Sequence, residues 1–445
     1  MRILFVCHGY PPRGRFGTEF YTRELALGLR ARGHEVGVFH PDRGFAAPPH
    51  AIEESEEGGV RVARIALPPG GRGRFAASYA DPGIERAFDG WLARHPPEVV
   101  HFTYLLGGLS IGMPAVARRR GIASVVTLTD YGLLCHRGQM FDARLARCFG
   151  PHPAAVCARC VRTSSRYDAS APLRLARNAA AELLASLGGL AGVPARADLE
   201  RREAAVRAVW DAVGLFVAPT RLFAEVYARS GVPALKLRTL VYAFDEAPYR
   251  AQALRPPSVP PRFGFAAQFA PHKGLATLIE AARLLDAEDP ARPWEVFLWG
   301  ESSGGRHARY APDVLSRADG RRVKVRSPFD SRRAPEILSE LSALVLPSEW
   351  DENAPLSVLQ ARALGVPVLA SAVPGIAEIV SPRASALVPV GDARALAARM
   401  RDVLEGRIGR DPEPGLPLPF PEHLRQIERT YSDALRGADT VRASR

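Results

Sequence analysis

Short apolar runs alternate with amphipathic stretches through the first half of the chain. Residues 18–31 carry apolar side chains at the spacing of one helical face, and Gly33 is placed to end that helix. The apolar runs are five or six residues long, which is typical of buried strands. The predicted strands are Ile3–Cys7, Glu35–His40, Glu98–Phe102, Ser124–Leu128 and Gly214–Ala218. This alternation predicts a parallel, doubly wound sheet.

The same rhythm restarts near Arg262, so the second half predicts a sheet of its own. Its predicted elements are strand Phe263–Ala266, helix Leu275–Leu285, strands Glu295–Trp299 and Lys324–Arg326, helix Pro335–Glu340, strand Ala343–Leu346, helix 355–364 and strand Val366–Ala370. Residues 161–210 are predicted to be helical, and Glu53–Glu57 is predicted to be a solvated loop. This organisation predicts two Rossmann-like α/β domains.

The predicted domain boundaries follow composition. Residues 1–245 form the first domain, with a Cys-rich insert at 131–165, and the Pro-rich segment 246–261 is a linker. Residues 262–410 form the second domain. The tail 411–445 carries a helix over Glu422–Leu435 that we expect to pack back on the first domain.

Composition narrows the function classes. The formal net charge is +12, but only three of the 59 basic residues are lysines, which indicates a coding bias towards arginine. Aromatic residues are not interleaved with the basic ones, so we expect no nucleic-acid partner. Anionic membrane surfaces or phosphorylated ligands suit the charge better.

No apolar run reaches the roughly 18 residues that span a bilayer, and the apolar start is too short for a signal peptide. We expect a cytoplasmic protein with a peripheral contact on the inner face of the membrane.

The richest pattern lies between residues 345 and 378, where a strand, a loop and a helix follow one another. Pro355 suits the first turn of the helix, and either Asn353 or Ala354 would cap it. The unpaired N–H groups near residues 354–357 would face the carboxyl end of the strand, where doubly wound sheets bind ligands. A helix start of this kind is an anion site.

This stretch resembles the signature of retaining glycosyltransferases of the GT-B type, in the large family 4 group. That signature has a Glu, seven residues and a second Glu, followed by a small residue and Gly-Val-Pro-Val. The resemblance implies the GT-B fold, in which the two Rossmann-like domains face each other across a cleft. It also implies that Glu352 contacts the transferred sugar and that position 360 contacts the nucleotide ribose. Gln360 replaces the second Glu, so we expect altered donor binding. The plain alternative is an ordinary strand–helix junction with a solvent-facing Glu352.

Lys273 lies between a predicted strand and a predicted helix, so its ammonium and the helix start could converge on a phosphate. The family motif carries Arg five residues earlier, and both cations hold the donor diphosphate. Gln268 occupies that position here, which leaves more of the charge neutralisation to Lys273. An exposed lysine at a helix start is the structural alternative.

Gly17-Thr18-Glu19 opens the first helix, where the family has a Gly-rich loop that approaches the diphosphate from the opposite domain. Phe16 stands where a second Gly is common. Thr129 replaces a family His that is directed at the sugar, which puts donor specificity in doubt. Asp130 either orients the acceptor or serves as a structural carboxylate, and His101 is expected to be a hydrogen-bonded histidine of the cleft.

Four of the five cysteines fall within 26 residues, at Cys135, Cys148, Cys157 and Cys160. The last pair has zinc-ribbon spacing, so a structural zinc with four thiolate ligands is the leading prediction. An iron–sulfur cluster and free thiols remain as alternatives. Some bacterial members of the family have a similar Cys-bearing insert.

The resemblance implies transfer of a hexosyl-type sugar from a nucleoside-diphosphate sugar to a saccharide or lipid-linked acceptor, with retention and without a catalytic metal. Its catalytic residues would be Glu352, Lys273 and Asp130. Donor-binding residues would be Gly17, Gln268, Lys273, Asn353, Pro355, Leu356, Ser357 and Gln360. Acceptor contacts would come from loops at Pro68–Arg74 and Arg118–Arg120. The alternatives are a degenerate GT-B protein that scaffolds polysaccharide assembly, an epimerase, or a phosphorylase, the last made improbable by the scarcity of lysines.

Overall fold

The computed structural model describes residues 1–11, 17–68, 75–187, 193–253, 255–302 and 306–443, with side chains described as far as residue 438. Within these ranges the strands form two sheets, one in each half of the chain. Phe16 and nearly all of the Pro68–Arg74 loop, both singled out in the sequence, lie outside the described residues.

The first sheet has the strand order β3-β4-β2-β1-β5-β6-β7-β8 within the described residues. All pairs of adjacent strands are parallel except β3 and β4, which pair antiparallel. Its strands are β1 Arg2–Val6, β2 Glu35–Asp42, β3 Ile52–Glu57, β4 Val60–Ala66, β5 Val99–Phe102, β6 Ala123–Thr127, β7 Leu215–Ala218 and β8 Leu237–Thr239. The central strands are buried on both faces, which explains their unbroken apolar runs.

The prediction of a loop at Glu53–Glu57 is wrong, because this segment belongs to strand β3 at the sheet edge. Its side chains are almost all exposed, so no apolar alternation marks it. Backbone pairing with β4 holds it instead. Gly58 and Gly59, both at positive φ, form the two-residue hairpin turn that a Gly-Gly pair favours.

The second sheet is wholly parallel, with the order β11-β10-β9-β12-β13-β14 among the described strands. Its strands are β9 Arg262–Ala266, β10 Glu295–Trp299, β11 Val323–Arg326, β12 Ala343–Leu346, β13 Val368–Ser371 and β14 Ser385–Val388. In both sheets the order reverses beside the first strand of the half, and that switch point is where open α/β sheets bind ligands.

Helices cover both faces of the sheets. In the first half they are α1 Gly17–Ala31, α2 Pro82–Arg94, α3 Met113–Arg119, α4 Ala154–Arg162, α5 Ala171–Ser186, α6 Arg196–Ala212 and α7 Arg221–Arg229. From the connecting segment onward they are α8 Ala247–Arg250, α9 Leu275–Glu288, α10 Tyr310–Leu315, α11 Ala334–Ser339, α12 Leu356–Ala363, α13 Pro374–Ala377, α14 Ala393–Leu404 and α15 Phe420–Ala443. In the described ranges no helix is both long and apolar enough to cross a bilayer.

The last helix, α15, returns to the first sheet and contacts α1, β5 and β6. Buried polar pairs fix it there. Tyr431 and His101 form a hydrogen bond of 2.8 Å between the hydroxyl and Nδ1, and Tyr21 and His423 form one of 2.9 Å. The chain therefore crosses between the halves twice, once through the segment that carries α8 and once before α15.

Candidate functional site

A cavity of about 340 Å³ opens between the two halves of the chain. Gly17 and Phe20 of α1 border it from the first half, and loops at the carboxyl ends of the second sheet supply most of its wall. Eight of the residues singled out in the sequence line this cavity together: Gly17, Gln268, Lys273, Glu352, Pro355, Leu356, Ser357 and Gln360. The topology thus gathers residues that lie more than 300 positions apart in the sequence.

Lys273 and Glu352 form an ion pair at the wall of this cavity. The Lys273 Nζ donates to Glu352 Oε1 at 2.7 Å, and Ser348 Oγ donates to the same oxygen at 2.6 Å. The Glu352 side chain is 4% exposed and that of Lys273 is 17% exposed, so solvent screens the pair little. The ammonium also lies 4.7 Å from the centre of the Trp350 ring.

Two glycines allow this pairing. Gly274 has a φ of +72°, and a Cβ there would lie 1.8 Å from the carbonyl oxygen of Pro347. A Cβ on Gly375 would lie 1.8 Å from the carbonyl oxygen of Glu352. The loop that carries Glu352 is therefore held between backbone segments that only glycine lets approach so closely.

The start of α12 faces the cavity. The helix begins at Leu356 with Pro355 as its cap residue, so the prediction that Asn353 or Ala354 caps it is wrong. Proline has the right φ for this position and offers no side-chain acceptor, and no side-chain cap hydrogen bond is formed. The first N–H groups of a helix have no partner within it. Those of Leu356 and Ser357 are thus available to an anion in the cavity.

The opposite domain brings a second helix start to the same place. Gly17 is the first residue of α1, and a Cβ built on it would lie 3.1 Å from Cδ1 of Leu356. Two positive helix ends and one ammonium therefore meet at this cavity. That arrangement suits a ligand with more than one negative charge.

Gln360 is held from behind by the segment that connects the two halves. Its Nε2 donates to the hydroxyl of Tyr249 on α8 at 2.9 Å, and both side chains are buried. The amide oxygen is left to accept from a ligand hydroxyl. The Pro-rich segment predicted as a linker thus contributes a buried tyrosine that supports a residue of the cavity.

Asn353 lies at the domain interface and does not line the cavity. Its Nδ2 donates to the carbonyl oxygen of Leu128 at 2.9 Å, and its Oδ1 accepts from the Thr220 hydroxyl at 3.2 Å. Its side chain is therefore committed to joining the halves. Thr129, which replaces a family His, donates its hydroxyl to the carbonyl of Thr103 at 3.3 Å and also lies outside the cavity lining.

Comparison with solved structures settles the architecture. Sucrose-phosphate synthase from Thermosynechococcus elongatus superposes with a TM-score of 0.59 and 18% identity, over 98% of this chain and 94% of that one. HepE from Anabaena, in complex with UDP and glucose, superposes with a TM-score of 0.55 and 15% identity, over 99% and 95%. The chain has the GT-B fold. The prediction of two facing Rossmann-like domains is confirmed.

Sequence comparisons place glycosyltransferase domains in both halves of this GT-B chain. Residues 16–178 match a family model described as a glycosyl transferase 4-like domain, and residues 260–406 match glycosyl transferases group 1. The match with WcaL of Salmonella typhimurium, described as a colanic acid biosynthesis glycosyltransferase, is 29% identical over 39% of this chain and 43% of that protein. The amylovoran biosynthesis glycosyltransferase AmsK of Erwinia amylovora is 26% identical over 43% and 48%. The chain spans under half the length of these relatives. Together the matches support a GT-B glycosyltransferase.

Asp130 follows β6 in the first domain of the GT-B fold, away from the cavity lining. Its Oδ2 accepts from the hydroxyl of Tyr104 at 2.8 Å, and its Oδ1 accepts from the backbone N–H of Gly132 at 2.7 Å. Burial raises the pKa of Asp130. Both oxygens are engaged within the protein, which favours the structural alternative for this carboxylate.

His101 is wholly buried beneath α15 and is not part of the cleft. Its Nδ1 pairs with Tyr431, and its Nε2 lies 2.7 Å from the Thr127 hydroxyl. Burial lowers the pKa of His101 to about 3, so the ring is neutral at physiological pH. The prediction of a hydrogen-bonded histidine holds, but its position is the core and not the cleft.

The Cys-rich insert touches both loops that carry the ion pair. Arg147 forms a salt bridge with Asp351, the residue before Glu352. The Phe141 ring lies 6.3 Å from that of His272, the residue before Lys273. The insert therefore contacts the second domain at the residues that precede Lys273 and Glu352.

Cys135, Cys148, Cys157 and Cys160 border one larger cavity of about 810 Å³ in this insert. Burial, followed by the charges of the other three thiols, raises the pKa of Cys157 to about 11. Among the described residues, however, no three His, Cys, Asp or Glu side chains converge closely enough to hold a metal ion. The thiols share a cavity without forming a ligand shell in these positions.

Several residues of the cavity were missed in the sequence, namely Phe20, Trp299, Glu301, Phe329 and Ser331. Trp299 ends β10 and Glu301 follows two residues later, so the rule that ligands bind beyond the carboxyl ends of strands could have found them. Phe20 belongs to α1 and Phe329 to a loop. Neither carried a pattern that distinguishes a cavity residue from an ordinary core aromatic.

Proposed function

We propose that this chain is a retaining glycosyltransferase that moves a hexosyl-type sugar from a nucleoside-diphosphate sugar to a saccharide or lipid-linked acceptor. The relatives named for colanic acid and amylovoran biosynthesis support a role in building polysaccharides. The observation that carries the proposal is the cavity in which the Lys273–Glu352 pair faces two helix starts.

The donor diphosphate would bind where these positive groups meet. Lys273 supplies a full charge, and the N–H groups of Leu356 and Ser357 supply preorganised dipoles. Gln268 contributes no charge, so Lys273 carries the greater share of the charge neutralisation at the diphosphate. HepE is described in complex with UDP, which supports a nucleoside diphosphate as the ligand of this fold.

The nucleoside would extend along the second domain. Gln360, steadied by Tyr249, can accept a hydrogen bond from a ribose hydroxyl. Trp299 and Phe329 pack edge to face, with ring centres 5.7 Å apart. A base stacked on one of these rings would bury apolar area without requiring a particular hydrogen-bond pattern.

Transfer breaks the bond between the anomeric carbon and the phosphate oxygen, and the electron pair leaves with the diphosphate. The acceptor oxygen bonds to the anomeric carbon, and its hydroxyl proton passes to the departing diphosphate. The sugar becomes oxocarbenium-like while negative charge grows on the leaving oxygen. Fixed donors around that oxygen stabilise the transition state without reorganising. We assign this role to Lys273 and to the start of α12, and we assign Glu352 to the sugar. We do not assign a catalytic metal, because the ammonium and helix ends provide the positive charge that the leaving group needs.

Glu352 and the diphosphate would compete for the same ammonium. In the structure both contacts of the carboxylate, with Lys273 and with Ser348, use Oε1. Donor binding would draw Lys273 towards phosphate and free Glu352 to accept from a sugar hydroxyl. Binding the donor would thereby make the Glu352 carboxylate available to the sugar.

The acceptor would enter from the first domain. His8, Tyr104 and Asp130 all follow carboxyl ends of its central strands, and the rings of His8 and Tyr104 lie 4.3 Å apart. Burial lowers the pKa of His8 to about 4, so a neutral ring faces any acceptor above that pH. In this arrangement Asp130 acts by orienting Tyr104. Arg118–Arg120 and the loop at Pro68–Arg74 remain predicted acceptor contacts.

For the insert we propose a structural zinc held by Cys135, Cys148, Cys157 and Cys160, which requires the thiols to draw together from the positions they have here. Metal analysis of the purified protein tests this. One zinc per chain that is lost in a Cys157→Ser/Cys160→Ser variant supports it. Iron with visible absorbance, or four thiols titratable without chelator, contradicts it.

The proposed activity is tested by supplying a panel of nucleoside-diphosphate sugars with saccharide and lipid-linked acceptors. Release of nucleoside diphosphate, with a product of the donor's own anomeric configuration by NMR, supports the proposal. Glu352→Ala should cut turnover strongly while the fold survives. Tight binding of a nucleoside diphosphate with no transfer to any acceptor would instead favour the non-catalytic scaffold, which the replacements at Thr129, Gln268 and Gln360 suit.

A further inference from the structure

The segment 347–355, which carries Glu352 between β12 and α12, has no regular secondary structure. Contacts made by its side chains therefore have a large part in fixing its position. Its backbone is tied to the second domain at Glu349, whose N–H donates to the carbonyl oxygen of His272 at 2.8 Å. The residues on both sides of Glu352 contact the first domain instead. We use the name Glu352 loop for residues 347–355.

The two residues before Glu352 reach separate parts of the first domain. Trp350 is 6% exposed and packs edge to face on Tyr131, with ring centres 5.9 Å apart. Asp351 forms the salt bridge with Arg147. The Glu352 loop is therefore held from the first domain on its amino-terminal side, although it belongs to the second.

The residue after Glu352 is held more completely. Asn353 Nδ2 donates to the carbonyl oxygen of Leu128 at 2.9 Å and to that of Thr129 at 3.4 Å. Its Oδ1 accepts from the hydroxyl of Thr220 at 3.2 Å. Asn353 and Thr220 are 6% and 1% exposed. A buried amide that is hydrogen-bonded through both its nitrogen and its oxygen keeps one orientation, and losing a partner leaves buried polar groups unsatisfied.

We infer that Asn353 and Thr220 are positioning residues that hold the Glu352 carboxylate in place from the first domain. The inference rests on the proposed function, in which Glu352 contacts the transferred sugar. The donor diphosphate would bind Lys273 and the start of α12, which both belong to the second domain. The second domain thus binds the nucleotide, and the first domain sets the position of the carboxylate that faces the sugar.

The same contact links Glu352 to the acceptor side. Leu128 and Thr129 follow β6 and lead directly into Asp130, whose carboxylate accepts from the hydroxyl of Tyr104 at 2.8 Å. One segment of the first domain therefore supports both the sugar-facing carboxylate and a side chain of the proposed acceptor site.

Steady-state kinetics and calorimetry test the inference, with UDP, GDP and ADP as the titrants and the tightest of them as the probe. Asn353→Asp keeps the size of the side chain and the acceptor for Thr220, but its carboxylate cannot donate to Leu128. We expect kcat to fall about 10-fold or more, and the dissociation constant of the probe to change less than about 2-fold. An unchanged kcat, or a loss of affinity as large as the loss in kcat, would overturn the inference.

Thr220 is tested through its hydroxyl. Thr220→Val removes the donor to Asn353 and should lower kcat about 3- to 10-fold, whereas Thr220→Ser keeps the hydroxyl and should stay within about 2-fold of the wild type. Because Thr220 acts through the amide, Thr220→Val/Asn353→Ala should lose no more turnover than Asn353→Ala. Losses that multiply would show that Thr220 does not act through Asn353.

The matched control is Ser165→Ala. Ser165 is 1% exposed, and its hydroxyl lies 2.8 Å from Nδ1 of His307 in the second domain. This buried hydrogen bond also joins the domains, but it does not involve the Glu352 loop. We expect kcat and the affinity for the probe to stay within about 2-fold of the wild type. An equal fall of kcat in Ser165→Ala and Asn353→Asp would reduce the effect to a general loosening of the domains and contradict the positioning role.

Hydrogen exchange separates this inference from the proposed function, because it needs no turnover. Amides of the Glu352 loop should exchange at least about 10-fold faster in Asn353→Asp than in the wild type, with those of β12 unchanged. If the wild type transfers no sugar, the proposed function fails, and faster exchange still supports the anchoring of Glu352 from the first domain. Unchanged exchange in the Glu352 loop overturns that anchoring whether or not sugar is transferred.

Discussion

Lys273 and Glu352 are separated by 79 positions in the sequence and meet in a hydrogen bond of 2.7 Å. Lys273 closes a short 3₁₀ turn after β9, and Glu352 lies in the loop after β12. Strands β9 and β12 are neighbours in the second sheet, so their carboxyl ends lie side by side. Sheet order therefore brings the two charges together at the cavity.

Gly274 should be the residue that tolerates replacement least in this arrangement. Alanine there meets both a positive φ and the Pro347 carbonyl at 1.8 Å, so the loop must move and carry Lys273 with it. We expect Gly274→Ala to destabilise the protein by at least about 3 kcal/mol and to weaken nucleoside-diphosphate binding. Denaturant unfolding and calorimetric titration measure the two effects.

Gly391 provides the control, because its φ is +75° but nothing lies within 4 Å of a Cβ built there. Gly391→Ala should cost only the backbone term of about 1 kcal/mol and leave ligand binding unchanged. Equal losses of unfolding free energy in the two variants would show that the contact with Pro347 does not contribute to the destabilisation.

Lys273→Met should weaken the binding of a free nucleoside diphosphate by about 10- to 100-fold, since one charge-assisted contact with phosphate contributes about 1.5–3 kcal/mol. The ammonium of Lys324 instead bonds the carbonyl of Gly320 on the surface. Lys324→Met should therefore bind the diphosphate as the wild type does, and calorimetry would compare all three proteins. If Lys273→Met binds the diphosphate with wild-type affinity, Lys273 does not contribute to phosphate binding.

The salt bridge between Arg147 and Asp351 should position the loop that carries Glu352. Arg147→Ala releases the residue next to Glu352, so we expect kcat to fall about 3- to 10-fold with a smaller change in donor KM. The charge reversal Arg147→Asp/Asp351→Arg should recover a substantial part of that loss. Steady-state kinetics give the comparison.

The pair Arg401–Glu288 is the control for that experiment, because it joins helices α14 and α9 within the second domain and neither residue lines the cavity. Arg401→Ala should leave kcat unchanged. If Arg147→Ala behaves in the same way, the insert bridges the domains without influencing catalysis.

The sequence predicted the buried parts of the structure well. Strands such as β10 and β12 were located to the residue, because a parallel strand buried on both faces needs an unbroken apolar run. Leu356 and Ser357 were placed at an anion site from the pattern of a helix start after a strand. Glu352 and Gln360 were assigned from the resemblance to the glycosyltransferase signature. The edge strand β3 had no apolar run, and its one signal was the turn at Gly58-Gly59.

The sequence could not predict which partner a polar side chain contacts in the folded protein. Asn353 had the right position for an anion site, yet its amide reaches Leu128 in the other domain. Asp130 follows the carboxyl end of β6, but its carboxylate accepts a hydrogen bond from the hydroxyl of Tyr104. Whether a polar side chain faces a ligand or a neighbouring loop depends on packing between elements, which no local pattern records.

Glu428 on α15 should give the protein a measurable acid dependence. Hydrogen bonds from Arg32 at 2.7 and 2.8 Å, and then contact with His34, lower the pKa of Glu428 to about 2. A carboxylate with a depressed folded pKa stabilises the protein above its unfolded pKa of about 4.3, and that contribution is lost as pH falls towards 2.

The comparison is between wild type and Glu428→Gln. Because solvent reaches this pair, we expect a difference in unfolding free energy of about 1–2 kcal/mol at pH 6, falling by about half at pH 3. Denaturant titrations at several pH values measure it. A difference that stays constant from pH 6 to pH 3 would mean that Glu428 contributes by packing and not by charge.

The most direct test is a double-mutant cycle on sugar transfer with Lys273→Met, Glu352→Gln and the double variant, at saturating donor. If the pair works as one centre, each single change should lower kcat by at least about 100-fold, and the double variant should lose little more than the worse single one. Losses that multiply would show two independent contributions, and unchanged turnover in either single variant would contradict the assignment of this cavity as the site of transfer.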